Sequence, residues 1–511
     1  MPEPQARGGT IRGNALFAFA AQMSTAAFTA AITIFLTREL GPAGFGIFSL
    51  ALSVTGLVLR PAGAGTTQAA GRYVAERFGD TGAVVGVLGM AIRLRTLTAT
   101  ATGVLLFALA DPVAALYDTP ALADPLRGMA LAFVGQSLFD FFRTVFMALR
   151  RASTAFGAVA SEAAMEAAAT VALVLGGGGV AGAAYGRAAG YAFGAVVGVV
   201  LLGRVLGRSP LFRTGRSPVA RREFAGYAGA MLVVASATSV FQRLAVLLLG
   251  AFLSVSAVGV YSAPLRLIAF IAYPGLALAQ GVAPRQARHM TEPVRLAALV
   301  RALRYAVLFH ASVVAFLLVW SVPIVELALG PEFSESGEVL RALTPFIFVN
   351  GMAPILFSSL GYAGEGTRRI PIALATVLVA AILYLTLIPA IGVVGAAFGT
   401  DIAYALNVGG HLWLAHRHLG LPLRPLTATL LRSALATGVA AAAVLVVGTG
   451  DPSTVQWLVG SIAGIAAFLS TAVLTRELNP GELRSLIRMP VRALRARRLG
   501  DGKISPPKPR Q

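Results

Sequence analysis

The sequence predicts an all-α integral membrane protein of about fourteen transmembrane helices. Three observations carry this. Of 511 residues, 57% are hydrophobic and only 13% are charged, whereas soluble domains carry about 25% charged residues. The apolar residues gather in runs close to the roughly 20 residues that a helix needs to cross a hydrocarbon core about 30 Å thick. The Arg residues sit in short clusters between these runs rather than on one face. The net charge of +20 therefore does not describe a nucleic-acid surface. Cys is absent, which excludes a disulfide framework and a thiolate metal site.

The runs lie near 13–36, 46–70, 95–117, 126–148, 155–175, 179–203, 224–250, 257–283, 303–325, 339–362, 370–390, 392–415, 427–449 and 454–475. Backbone in lipid must satisfy its own hydrogen bonds, so they are predicted as helices, not strands. In the first run, Ala18-Phe19-Ala20 resembles a cleavage site. The apolar stretch before it is too short for a signal peptide, so the run reads as an uncleaved helix. Cationic loops stay in the cytoplasm. With the N-terminus inside, only Arg38, Arg127 and Arg341 of the 42 Lys and Arg fall in outside loops. Those loops carry acids instead, among them Asp111, Asp118, Asp124, Glu332, Glu335, Glu338 and Asp451. Both termini are thus expected in the cytoplasm. The tail 476–511 contains "LRSLIRMPVRALRARRL", which reads either as a helix on the anionic inner leaflet or as a solvated tail.

The chain repeats itself. "GVAGAAYGRAAGYA" (Gly179 to Ala192) and "GVVGAAFGTDIAYA" (Gly392 to Ala405) lie 213 residues apart and share eight of fourteen positions. The same offset puts "FGIFSLAL" (Phe45 to Leu52) on "VGVYSAPL" (Val258 to Leu265) and Pro61 on Pro274. Six helices per copy give parallel repeats about an axis along the membrane normal, an arrangement that puts a transport site between two lobes. The expected organisation is a first lobe 1–203, a basic connector 204–223, a second lobe 224–415, two further helices in 416–475 and the tail 476–511. Gly182, Gly186, Gly190, Gly194 and Gly198 recur every four residues, the spacing of close helix packing in lipid.

Eight charged residues fall within the predicted helices: Arg60, Asp140, Glu162, Glu166, Arg187, Arg243, Arg266 and Asp401. Each costs about 2.5–3.5 kcal/mol at a helix centre. None has a charged counterpart at the 213-residue offset; Arg187 falls on Thr400. Packing was duplicated and charge was not, which marks the charges as functional. Asp140 can pair locally with Arg143, and Arg243 can snorkel outward. Glu162 and Glu166, one turn apart, can relay protons or neutralise Arg187. Asp401 is a further candidate for ion coupling. Arg60 and Arg266 lie too deep for snorkelling, and Arg holds a pyrophosphate through several donors without losing its proton. Arg60, Arg266, Arg187 and Arg243 are the expected substrate-binding set. Gly176 to Gly179 makes a tight turn, not a phosphate loop, since no Gly-Lys-Ser/Thr follows. His411, His416 and His418 read as interfacial rather than metal-binding, and no cofactor is expected. Without an ATP site, energy would come from an ion gradient, the membrane potential or downstream consumption.

"TRELGPAGFGIFSLALS" (37–53) with "GAGTTQAAGRYVAE" (63–76) resembles the first two helices of the polysaccharide transport family of the multidrug/oligosaccharidyl-lipid/polysaccharide flippase superfamily. "GVYSAPLRL" (259–267), "LGPEF" (329–333) and "GVVGAAFG" (392–399) resemble its second lobe. The resemblance spans about 12–475. It implies two six-helix lobes around a V-shaped cavity, two extra C-terminal helices, and the flipping of polyprenyl-pyrophosphate-linked sugars. It further implies a lipid-linked oligosaccharide and membrane lipids as partners, with a polymerase and glycosyltransferases as possible ones. An acid that the family often carries shortly before the glycine matching Gly65 is replaced here by Gly63 and Ala64, so its role does not carry over. A multidrug/cation antiporter of the same superfamily is the alternative, although 13–36 lacks the acid on which many antiporters depend. A membrane-embedded glycosyltransferase or polymerase would need an outer cluster of acids or His, and the outer loops are short.

Overall fold

The structure, a computed structural model, describes residues 11–77, 79–206, 221–282, 292–450, 452–479 and 481–482. No strand occurs among them. Before the connector come α1 (Ile11–Glu76), α2 (Thr81–Ala108), α3 (Ala110–Leu116), α4 (Ala123–Ala148), α5 (Ala152–Leu173) and α6 (Gly179–Leu206). After it come α7 (Arg221–Phe252), α8 (Val255–Ile271), α9 (Tyr273–Val282), α10 (Glu292–Leu329), α11 (Glu335–Ala342), α12 (Thr344–Asn350), α13 (Ala353–Tyr362) and α14 (Ile370–Leu419), then α15 (Leu423–Val447) and α16 (Thr454–Leu474). Connector residues 207–220 and the tail segment 483–499, where the leaflet-bound helix was expected, lie outside the described residues.

Among the described residues, nine helical stretches are long and apolar enough to cross a bilayer, or ten if Val255–Ile271 and Tyr273–Ala279, bent by 41°, form one span. Some of these stretches are hairpins run together, so they do not count crossings one by one and the expected fourteen is not read off them. Ala152–Leu206 and Thr367–Leu419 are 55 and 53 residues long, about 80 Å of helix at 1.5 Å per residue, against a core about 30 Å thick. Each is broken inside, at Gly177 (φ 89°) and at Gly392 (φ 68°), dihedrals that glycine adopts without strain. Past the break Gly395 lies on the Leu387 carbonyl and Gly399 on the Tyr384 ring, so the two limbs of α14 run back along each other. Gly41 (φ 62°) breaks α1 in the same way. These breaks fall where the sequence predicted turns.

Other boundaries moved. α2 begins at Thr81 rather than near 95, because the Asp80 side chain caps it, accepting from the Ala83 amide at 2.9 Å. The run 339–362 is not one helix: Pro345 and Pro354 start α12 and α13, and a proline supplies no N–H to continue the preceding helix.

The 213-residue offset has a geometric counterpart. Gly179 (φ 50°, ψ −133°) and Gly392 (φ 68°, ψ −144°) share one backbone twist. Gly46 of α1 and Gly259 of α8 face each other directly. A Cβ on Gly46 would overlap the Val255 carbonyl and stand 3.0 Å from the Gly259 amide nitrogen. A Cβ on Gly259 would overlap the Pro42 carbonyl and stand 3.2 Å from the Gly46 amide nitrogen. Pro42 and Val255 are themselves 213 apart, so the crossing is reciprocal, as at a two-fold interface.

Helices α15 and α16 pack against α10. The Trp320 indole donates to the Gly448 carbonyl at 2.9 Å and packs tilted against Trp457, 4.7 Å between ring centroids. At the other end Glu477, 3% exposed, accepts from Arg304 (2.9 Å), Thr429 (2.8 Å) and Arg432 (3.3 Å). Arg304 also bonds Glu482 at 3.1 Å, which together with the Asn479 amide holds that carboxyl below its ordinary range.

Candidate functional site: an arginine-lined cavity between the two halves

Two adjoining cavities lie where the two halves meet, of about 110 and 120 Å³. Both are walled by Arg187 of α6 and Arg266 of α8. The first adds Arg243 of α7, with Thr55, Gln136 and Phe133. The second adds Glu162 and Glu166 of α5, with Tyr191 and Thr33. Four of the expected binding and coupling residues thus join Arg266 at one place, from both sides of the interface.

Local packing puts them there. Gly190 approaches α5 so closely that a Cβ would stand 2.6 Å from the Glu166 Cα. The glycine spacing therefore brings α5 and α6 into near-backbone contact, as expected for small residues in lipid, and aligns Glu166 with Arg187. Arg187 Nη1 bonds Glu166 Oε1 at 2.5 Å, its Nη2 donates to the Tyr191 hydroxyl at 3.1 Å, and its guanidinium lies 4.8 Å from that ring centroid. Of the two roles open to the acids, the structure gives Glu166 that of partner to Arg187. Glu162 Oε1 is buried without a hydrogen-bond partner among the described residues. Arg243 does not snorkel outward; its guanidinium lies 2.9 Å from where a Gly56 Cβ would stand, inside the cavity. Arg266 makes no hydrogen bond or ion pair among the described residues while facing both cavities. Glu166 neutralises Arg187, while Arg266 faces the cavities without a partner among the described residues, so its charge is available to an anion.

Of the other expected residues, one falls outside the described side chains and one lies away from the cluster. The side chain of Arg60 lies outside the described residues. Asp401 is 7% exposed in α14; its Oδ1 accepts from the Phe346 amide at 3.0 Å, and Oδ2 has no partner among the described residues. Asp140 pairs with Arg143 at 3.3 Å, the local pairing expected of it. Sequence reading overlooked Arg95, assigned to a helix end. It is 2% exposed in the middle of α2, donates to the Ser137 carbonyl at 3.2 Å, and lies over Gly63 where a Cβ would collide with it. The Asp80 cap was the available signal that the helix runs through it.

The Arg187–Glu166 pair is largely withdrawn from solvent, at 18% and 11% side-chain exposure. Removing one partner strands a buried charge, at a cost of about 3–5 kcal/mol. Glu166→Gln is therefore expected to lower the thermal unfolding temperature of the purified protein in detergent clearly, and Glu166→Gln/Arg187→Met to recover most of the loss. Equal stability of the single variant and the parent would show the pair to be idle.

The chain resembles in fold a lipid II flippase, MurJ, in an inward closed conformation, with TM-score 0.74 and 14% identity over 90% of this chain and 99% of that one. It also resembles the MATE multidrug transporter DinF-BH, with TM-score 0.62 and 18% identity over 82% of this chain and 99% of that one. A transporter of the MOP superfamily from Pyrococcus furiosus, described by a reversed polarity of its binding pocket, matches with TM-score 0.59 and 16% identity over 80% and 95% of the two chains. At such identities these likenesses speak for the fold alone. No curated protein matches the chain in sequence. The sequence pattern of the polysaccharide biosynthesis protein family matches residues 11–282, just over half of the chain, and the chain belongs to that family.

Proposed function

We propose that this protein moves a polyprenyl-pyrophosphate-linked oligosaccharide from the cytoplasmic to the outer face of the cell membrane, for the assembly of a surface polysaccharide. It acts as a transporter and performs no covalent chemistry on its substrate. The observation that carries this reading is the meeting of Arg187, Arg243 and Arg266 in one cavity between the halves. A pyrophosphate is a compact polyanion, and guanidinium groups bind it through paired, permanently charged donors. Such a ligand also compensates the cost of holding the arginines away from water. The family membership and the fold of a lipid II flippase support the same substrate class.

On this reading residues 1–203 and 224–415 are two lobes that rock about the headgroup, joined by the connector 204–223. Residues 416–475 offer an apolar surface to the lipid tail, and the basic tail 476–511 follows. There are fourteen crossings with both termini in the cytoplasm. A polymerase and glycosyltransferases would supply and consume the substrate. Topology is checked with Ser334→Cys, the single thiol in a chain without native Cys. A membrane-impermeant maleimide is expected to label it in intact cells; labelling only after lysis would overturn the crossing number.

Function is checked in vesicles containing the purified protein and an undecaprenyl-pyrophosphate-linked oligosaccharide. The expected result is protein-dependent equilibration of the glycan between leaflets, read by lectin accessibility. A multidrug antiporter, the reading that the DinF-BH fold keeps open, would instead move an organic cation such as ethidium against an ion gradient and leave the glycolipid in place. The surplus of arginine in the cavity opposes that outcome.

A further inference from the structure

A third and larger cavity, of about 380 Å³, lies wholly within the second half, among α7, α8, α12, α13, α14 and the residues just before α14. Its size falls within the roughly 300–1,000 Å³ of small-molecule sites. Six aromatic rings line it: Phe241, Tyr261, Phe346, Phe357, Tyr384 and Tyr404. Tyr404 is their centre. It stacks on Phe241 (6.0 Å between centroids, 20° between planes), meets Phe346 edge-on at 4.6 Å, and is held by its hydroxyl donating to Asn350 Oδ1 at 2.8 Å. This is a fixed platform, formed before any ligand arrives.

The polar atoms on the wall have a definite bias. Thr400 donates its hydroxyl proton to the Ala396 carbonyl at 2.8 Å. The Tyr261 and Tyr384 hydroxyls, 2.7 and 2.9 Å from the same Thr400 oxygen, must therefore both donate to it. Their own lone pairs are left as acceptors. Asn407 is oriented by the same logic. Thr376 donates to the Ile372 carbonyl at 2.7 Å, so it accepts from Asn407 Nδ2 at 2.9 Å. Asn407 Oδ1 is left buried with no partner among the described residues, a condition that native structures avoid unless something else supplies the bond. The wall thus carries the two tyrosine acceptors beside an aromatic platform, with the unpartnered Asn407 oxygen buried in it. Among the described residues no carboxylate lies on it and its charged group is Arg369, which donates to His411 Nε2 at 3.2 Å and covers the Phe357 ring at 4.6 Å.

A ligand suited to these walls brings hydroxyl donors and C–H faces to lay on rings, and carries no positive charge. A pyranose ring has these properties: its axial C–H groups meet the negative face of an aromatic ring, and its hydroxyls satisfy acceptors. An organic cation would gain from the rings but would find an arginine and no counter-charge. The position fits as well. Gln242 and Leu265 line this cavity while their neighbours Arg243 and Arg266 line the arginine cavities. The two chambers therefore share α7 and α8 as walls.

We infer that the aromatic cavity of the second half is a sugar-binding subsite, which holds a neutral pyranose of the glycan while the arginine cavity holds the pyrophosphate. The inference rests on the flippase reading and adds to it the place where glycan identity is sensed. The test uses the full chain in nanodiscs and measures binding of bare undecaprenyl pyrophosphate beside undecaprenyl pyrophosphate carrying a glucose-, galactose- or N-acetylglucosamine-based disaccharide. At least one glycosylated lipid is expected to bind about tenfold more tightly than the bare lipid, corresponding to about 1.4 kcal/mol. Tyr404→Ala, which removes the platform, and Asn407→Leu, which removes the orphan acceptor, are each expected to erase that gain while leaving bare-lipid affinity within about twofold. Retained bare-lipid binding also shows that the variants are folded. A gain that survives both substitutions, or the absence of a gain for every sugar, would overturn the subsite. Bare lipid that binds the parent no better than it binds Arg266→Ala would instead sink the flippase reading itself. Ethidium binding that disappears in Tyr404→Ala would reassign the cavity to organic cations.

Discussion

Replacing Arg266 by Ala is expected to reduce glycolipid export by at least about a hundredfold, with normal amounts of protein in the membrane. Arg266 faces both arginine cavities and has no internal partner among the described residues. Its charge is thus available to the substrate, unlike that of Arg187, which Glu166 holds at 2.5 Å. A hydrogen bond to a charged group contributes about 1.5–3 kcal/mol, and a guanidinium gripping pyrophosphate makes two or more. Losing two is a factor of about 10²–10⁴. Arg266→Lys keeps the charge but not the planar fork and is expected to restore only part of the activity. Removing an unpaired buried cation should not harm folding; the variant is expected to unfold at or above the parent's temperature. The measurement is surface polysaccharide in a flippase-deficient strain, normalised to membrane abundance. Full export by Arg266→Ala would eliminate the site.

The second large effect is expected at the crossing of Gly46 and Gly259. A side chain at either position would overlap a backbone carbonyl of the opposite half, and neither carbonyl can rotate aside as a flexible side chain would. Overpacking a tight contact costs about 1–3 kcal/mol, enough to shift a two-state balance about 5- to 150-fold. In the proposed topology this crossing lies toward the outer face. Gly46→Val is therefore expected to hold the bend of α1 and the start of α8 apart, stop export, and expose the arginine cavity to the outside. With no native Cys in the chain, Gln136→Cys on the cavity wall reports this directly. An impermeant maleimide added to intact cells is expected to label it markedly faster in the Gly46→Val background than in the parent. Gly259→Val is expected to do the same, because the contact is reciprocal. Normal export with a protected Gln136→Cys would show that the crossing does not gate access.

Much of the architecture was readable before any coordinates. Lipid forbids unsatisfied backbone, so runs near 20 residues had few alternatives to helix, and the breaks at Gly41, Gly177 and Gly392 fall between or at the edge of predicted runs. Boundaries failed where a local feature outweighed hydropathy, as with the Asp80 cap before α2 and the prolines that divide 339–362. Arg187, Arg243, Arg266, Glu162 and Glu166 were picked out because charge within an apolar run is costly. That argument selects residues without saying which of them meet. Asp401 satisfied the same criterion and lies elsewhere, bonded to the Phe346 amide.

The sequence by itself determined the membrane class, the duplication and the charges that line the arginine cavities, because each follows from one-dimensional regularities: run length, a constant offset and the price of an ion in lipid. Only the tertiary structure decided the partnerships. Glu166 rather than Glu162 neutralises Arg187 because Gly190 lets α6 settle on the Glu166 Cα. Arg243 turns inward because Gly56 leaves room for its guanidinium. The aromatic cavity had no sequence signature, since Phe241 and Tyr404 lie far apart in the chain and each reads alone as ordinary helix packing. They become a binding surface only when folding stacks their rings 6.0 Å apart, a relation that periodicity within either helix does not encode.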